Sequence, residues 1–256
     1  MNIASSLRLC ALPLAVSLAL SACSGSSTPP DGQKAAEPRA ATTTAETALP
    51  AGWQRVAGAE MPAVHDQKAV LPAKVHSDDG ADIEVTDTRR IIAGGDDVIA
   101  VIEALGLGKQ VFAAPTNTTT QAGLAAPHQF LFNRTTGVEG VLSLQGSLFL
   151  GNSLRRHTEL AKKLREVGEP AVVIDDLQPA PDKVRKVAAA LGLAEAGQTI
   201  ATQVQRQLDE AAAIGKGLGH APRLIHVSAT GAGGSPTVAG ADSASAQLIA
   251  LAGGVN

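Results

Sequence analysis

The sequence predicts an α/β fold of two lobes joined by a long helical segment. Three observations carry this. Short apolar runs alternate with helical stretches between residues 85 and 180, and strands interleaved with helices build parallel βα units. Residues 182–215 then run with hardly a turn residue. A helix of 20 residues already spans about 30 Å, more than a crossover in a small lobe requires. A new strand-and-helix set opens near Arg223.

The elements follow in chain order. Residues 1–22 read as a signal peptide. Arg8 is its only charge, and the apolar run 9–20 is too short to span a bilayer. Leu20-Ser21-Ala22-Cys23 puts small residues before a Cys, the pattern of a bacterial lipoprotein signal. Cleavage is therefore expected before Cys23, with lipid on its thiol. Residues 23–50, rich in Ser, Thr, Pro, Ala and Gly, read as a flexible linker that cannot bury enough surface to fold. A lipid plus such a tether keeps a domain beside a membrane and free to turn.

The first lobe, residues 85–180, opens with a strand at 89–93 and the turn Gly94-Gly95-Asp96. Asp96 or Asp97 is placed to cap a helix at 98–105, where Val98, Val101, Ile102 and Leu105 recur at helical spacing. Gly106 and Gly108 end it. Strands at 110–114 and 129–132 follow. Thr136-Gly137-Val138-Glu139 reads as a capping box ahead of Val141 and Leu142. After a strand at 147–150, Gly151-Asn152-Ser153 opens a helix. Leu160, Leu164 and Val167 form its apolar stripe, against Arg155, Arg156, Lys162, Lys163 and Arg165. A strand at 171–174 closes the lobe. Residues 181–216 form the bridging region, helical over 182–191 and 198–215 with Gly192 between. Residues 217–256 begin the second lobe, with strands at 223–228 and Thr237-Val238. A last helix is opened by Asp242 or Ser243 and closed by Gly253.

Composition excludes several functions. Hydrophobic residues make up 45% of the 256 residues and charged residues 18%, enough for a sizeable core. Aromatics are 2%, Tyr is absent and net charge is −3, so neither stacking platforms nor a basic footprint for nucleic acid exist. Both Cys lie within the first 23 residues, leaving no disulfide framework or Cys-based metal site. Residues 229–235 are Gly-rich and allow close backbone approach to a ligand, but no Gly-Lys-Ser/Thr follows. Gly94-Gly95-Asp96 does not complete a dinucleotide fingerprint. No Ser–His–Asp or Cys–His arrangement has supporting context, so the chain is read as a binder rather than an enzyme.

In parallel sheets ligands sit beyond the carboxyl ends of strands. That rule selects residues 94–97, 116–120, 133–136, 152–157 and 229–235. Within them Asp96, Asn133, Arg134, Asn152, Arg155, Arg156, Thr230 and Gly231 are the candidate ligand-binding residues. Arg134 can hold a carboxylate through two parallel hydrogen bonds, or pair with a nearby surface acid. Arg155 and Arg156 open a helix whose positive dipole end favours anions, although one of them should face solvent. His128 follows Ala-Ala-Pro in a loop. His157 shares a helix face with Leu154, Ala161 and Leu164, the usual setting of a packed histidine. His65, His76, His220 and His226 show no metal-ligand spacing.

Arg90-Ile91-Ile92-Ala93-Gly94-Gly95, followed by a helix ending Ala104-Leu105-Gly106-Leu107-Gly108, resembles the opening of the substrate-binding lipoproteins of iron-complex ABC importers. Glu139-Gly140-Val141-Leu142-Ser143-Leu144 is similar to the middle of their first lobe. Thr237-Val238-Ala239-Gly240 and Ala250-Leu251-Ala252-Gly253-Gly254-Val255-Asn256 are similar to their second. The pattern, from about Arg89 to Asn256, resembles the haemin-binding branch. The resemblance implies a periplasmic-binding-protein fold of two α/β lobes bridged by one rigid helix, with the ligand between the lobes. It also implies an extracytoplasmic, membrane-anchored receptor without catalytic cofactor, passing haem or another iron complex to a permease and its ATPase. An iron-free siderophore or a corrinoid is the alternative cargo; a surface-tethered α/β enzyme or interaction module is the alternative role. Haem-binding members commonly carry a Tyr or His just before the first-lobe Arg. Here Phe132 takes that position, making His128 and His157 the nearest substitutes as iron ligands. The family's second lobe continues past Gly-Gly-Val-Asn, so 217–256 is expected to be an incomplete second lobe.

Overall fold

Five parallel strands form the central sheet of the computed structural model, which describes residues 61–131, 137–228 and 236–256. The strands are β3 (Ile91–Ala93), β4 (Val111–Pro115), β5 (His128–Phe130), β6 (Leu148–Gly151) and β7 (Ala171–Val173). Their spatial order is β5-β4-β3-β6-β7, with β3 in parallel register with both β4 and β6. Every residue of β3, β6 and β7 is buried, as expected of strands covered on both faces. Ile91, Ala93, Leu148, Leu150 and Val172 face α1 (Asp96–Ala104) and α5 (Ala180–Ala190). Ile92, Phe149, Ala171 and Val173 face α3 (Val138–Leu142) and α4 (Leu154–Glu166). A short helix α2 (Gln121–Ala125) joins β4 to β5, its N-terminus capped by the hydroxyl of Thr120.

Several local expectations need correction. Asp96 and Asp97 lie in the first turn of α1, and the cap position is Gly95, which has no side chain to make a capping bond. The carboxylates still favour the positive helix end, but their hydrogen bonds run elsewhere. Helix α3 is capped at Gly137, one residue later than the predicted box requires. Val167 lies just past α4 and is 57% exposed, so the buried stripe is His157, Leu160, Ala161 and Leu164.

The bridging region is two helices. Pro181 fits the first turn of α5, which needs no N–H there. After α5, Gly192 adopts φ +72 and turns the chain back into α6 (Ala194–Gly217). The two helices then pack side by side, and a Cβ on Gly197 would lie 2.3 Å from that of Ala188. Only α6, 24 residues and about 36 Å long, carries the chain away from the sheet.

Beyond α6, Arg223 bridges Val255. Strands β8 (Val227–Ser228) and β9 (Thr237–Val238) pair antiparallel. Parallel neighbours need a crossover of a dozen residues or more, and only eight separate these two. The last helix, α7 (Ala244–Leu251), is capped by Ser243, whose Oγ accepts from Ala246 N–H.

A ribbon absent from the sequence reading precedes the sheet: β1 (Ala73–His76) and β2 (Asp82–Val85), antiparallel, turning at Gly80 with φ +90. Its turn clasps β7, an edge strand. Val173 N–H donates to Ser77 Oγ at 2.8 Å, and Asp78 N–H donates to Val173 O at 2.9 Å. Arg165 Nη1 donates to Ala171 O at 2.9 Å. The Arg165 guanidinium also pairs with Asp79 at 2.6 Å, where the Asp79 side chain is 1% exposed.

Candidate functional site

Four strand ends meet at one rim. Gly94 and Gly95 follow β3, Pro115 ends β4 and Asn117 follows it, Leu131 follows β5, and Asn152 follows β6. With Asp96 of α1 and Arg156 of α4 they line a pocket of about 230 Å³. A groove of about 920 Å³ lies near the amino end of β4, and one of about 410 Å³ lies beside the ribbon. Neither gathers strand carboxyl ends, so the rim pocket is where this architecture places a ligand.

The rim is held by hydrogen bonds between elements. Asp96 accepts from the Thr118 hydroxyl and from both the N–H and hydroxyl of Thr119, the latter two at 2.8 Å. Partial burial opposes ionisation of Asp96, yet these donors hold its carboxyl below the usual range. Asn152 is fixed twice: its backbone N–H donates to His157 Nδ1 at 3.1 Å, and its Nδ2 donates to Asp97 Oδ1 at 2.8 Å. Lys183 Nζ closes on Asp97 Oδ2 at 2.7 Å. Arg156 is exposed and forms no ion pair with a described residue.

The structure thus brings together Asp96, Asn152 and Arg156. Arg155, one residue earlier on α4, is exposed and does not line the pocket. Cys23, Asn133, Arg134, Thr230 and Gly231 lie outside the described residues. The two histidines do not join the rim. His157 is 2% exposed, its ring edge-on to Phe149 at 5.6 Å between centroids. Burial, aided by the neighbouring Arg156 guanidinium, pushes its pKa down to about 4, against a smaller opposing pull from Asp176 and Asp97. It is a neutral packing residue that orients the Asn152 loop. His128 starts β5 instead of ending a cleft loop, and stacks edge-on against Phe112 at 4.7 Å. Arg90 covers the Phe112 ring at 3.9 Å. The sequence reading missed Asp97 and Lys183 as a pair, and no sequence signal links residues on different helices 86 positions apart. Asn117, by contrast, lay within the segment that the strand-end rule selected.

Solved structures similar to this chain include haem-binding proteins. The haem-binding protein HmuT is 22% identical over 79% of this chain and 68% of its own, with a TM-score of 0.64. The periplasmic haem-binding protein RhuT of Roseiflexus sp. RS-1, in apo form, is 28% identical over 66% of each chain, with a TM-score of 0.60. The chain has the periplasmic-binding-protein fold. The periplasmic haem-binding protein HutB of Vibrio cholerae shares this fold at 22% identity over 66% of each chain, with a TM-score of 0.54. The chain spans about two thirds of the length of these proteins. All three are named as haem-binding proteins. No family model matches the chain. No curated protein matches it either.

Proposed function

We propose that the chain is the extracytoplasmic substrate-binding lipoprotein of an ABC importer. It captures haemin or another iron complex at the strand-end rim and delivers it to a permease, with Cys23 as the lipid anchor. One observation carries the ligand reading: Arg156, exposed and without an acidic partner among the described residues, stands over a pocket lined by the carboxyl ends of β3, β4 and β6. A cation so placed suits the carboxylate of a haem propionate or a siderophore acid, where a charge-assisted bond is strongest out of water. The likeness to haem-binding proteins supports the same ligand class. Arg134, in the segment after β5, is a second proposed anchor.

The receptor performs no chemistry, so affinity has to come from complementarity. Titration with haemin, followed by the Soret band, tests the reading. Arg156→Ala and Arg134→Ala should each weaken binding about tenfold to a hundredfold, the equivalent of about 1.5–3 kcal/mol for a charge-assisted hydrogen bond. Parent protein that leaves the haemin spectrum unchanged rejects haem as cargo. An iron-free siderophore or corrinoid then becomes the ligand to titrate.

A further inference from the structure

Asn152 is a rim residue whose side chain is held by two charged groups, Asp97 and Lys183, that do not line the pocket. Its Nδ2 donates to Asp97 Oδ1 at 2.8 Å. Asp97 spends its other oxygen on Lys183 Nζ at 2.7 Å. Lys183 stands in the first turns of α5, a helix that packs one face against the sheet and α6, and its side chain is 15% exposed. Behind the amide lies Gly95: a Cβ there would sit 2.0 Å from Asn152 Nδ2. Gly95 has φ −175, an extended backbone open to any residue, so space alone requires glycine. An ionised carboxylate only accepts, so Asp97 selects the N–H end of the amide and leaves Oδ1 buried, with no hydrogen-bond partner among the described residues. The lysine in turn holds the carboxylate in place.

We propose that Asp97 and Lys183 are positioning residues for ligand binding, acting through Asn152. They fix how the Asn152 amide is turned at the rim, and they tie the rim to α5. This rests on the reading of the rim pocket as the ligand site, so the test has one readout that needs no ligand.

That readout is the Asn152 side-chain amide resonance in two-dimensional NMR of the protein, identified by its loss in Asn152→Ala. In both Asp97→Asn and Lys183→Met it should shift and broaden while the dispersed backbone spectrum is kept. Haemin titration supplies the second readout. Each substitution should weaken binding about threefold to tenfold in the parent, the size of one hydrogen bond. Neither should weaken it further in the Asn152→Ala background. Additive losses in that background would show that the pair acts through general stability and would overturn the proposal. So would an unmoved Asn152 resonance in both variants. If the parent protein does not bind haemin, the cargo reading fails by itself and the amide resonance alone decides the positioning role.

Discussion

Acidification should destabilise this protein in a window set by one histidine. Folded His157 titrates near 4 because it is buried, whereas an unfolded histidine titrates near 6.5. The unfolded chain therefore takes up this proton first as pH falls. The contribution of neutral His157 is present in full above about pH 6.5 and is lost on the way down to about pH 4. The difference of roughly 2.5 units, at about 1.4 kcal/mol per unit, is a loss of about 3 kcal/mol. Protonation also removes the acceptor that Nδ1 offers to Asn152 N–H, so the rim loosens in the same range. Urea denaturation at a series of pH values between 7 and 4.5 measures this, beside His157→Asn. The Asn oxygen can replace the Nδ1 acceptor without titrating. The parent should lose stability steeply over the window, while the variant starts lower and stays nearly flat, so the gap between them closes. A parent as stable near pH 4.5 as at pH 7, or a variant with the same slope, would refute the reasoning. Below about pH 3.8 a separate loss sets in, as Asp79 and Asp96, whose folded pKa values are lowered, take up protons.

Three further outcomes are expected. Arg165→Met leaves the buried Asp79 carboxylate without its partner and should cost about 3 kcal/mol in urea unfolding, with part regained by adding Asp79→Asn; an unchanged midpoint would show that the pair is idle. Gly192→Ala forces alanine to φ +72 and puts its Cβ 2.5 Å from Val70 O, so stability should fall by more than about 1 kcal/mol and Tm with it. Cys23→Ser should move the protein from the membrane fraction to the soluble one, and a variant that still sediments with membrane places the anchor elsewhere.

Much of the first lobe was legible because its strands and helices carry dense periodic signals. Val98, Val101 and Ile102 sit on the face of α1 that the spacing assigned to the core, and Gly106, with φ +74, ends the helix turn as expected. Chain ends of elements were harder. Both Asp96 and Asp97 are good cap residues, but each found a partner on another element, a choice local sequence does not encode. The break at Gly192 was legible, but the side-by-side packing of α5 and α6, which the small Ala188 and Gly197 allow, was not. The ribbon escaped notice because β1 and β2 have four residues each, too few for alternation to stand out. At the site, the strand-end rule found Asp96, Asn152 and Arg156 from position alone. His157 is buried, as its helix face suggested, whereas His128 is exposed on β5.

The clasp on β7 has a consequence for how the chain is made. Ser77 and Val173 are 96 residues apart. Among the described strands the ribbon is synthesised first, yet the edge it covers is completed only when β7 arrives. Until then the ribbon has no lasting partner, and such distant pairings are slow to form because a long loop must close first. When the turn docks, Ser77, Asp78 and Arg165 occupy the backbone groups with which another chain's strand would pair. The last step of building the sheet is thus also the step that ends its capacity to recruit a neighbour. A chain arrested before that step presents β7 bare, and aggregation during synthesis should begin at that edge.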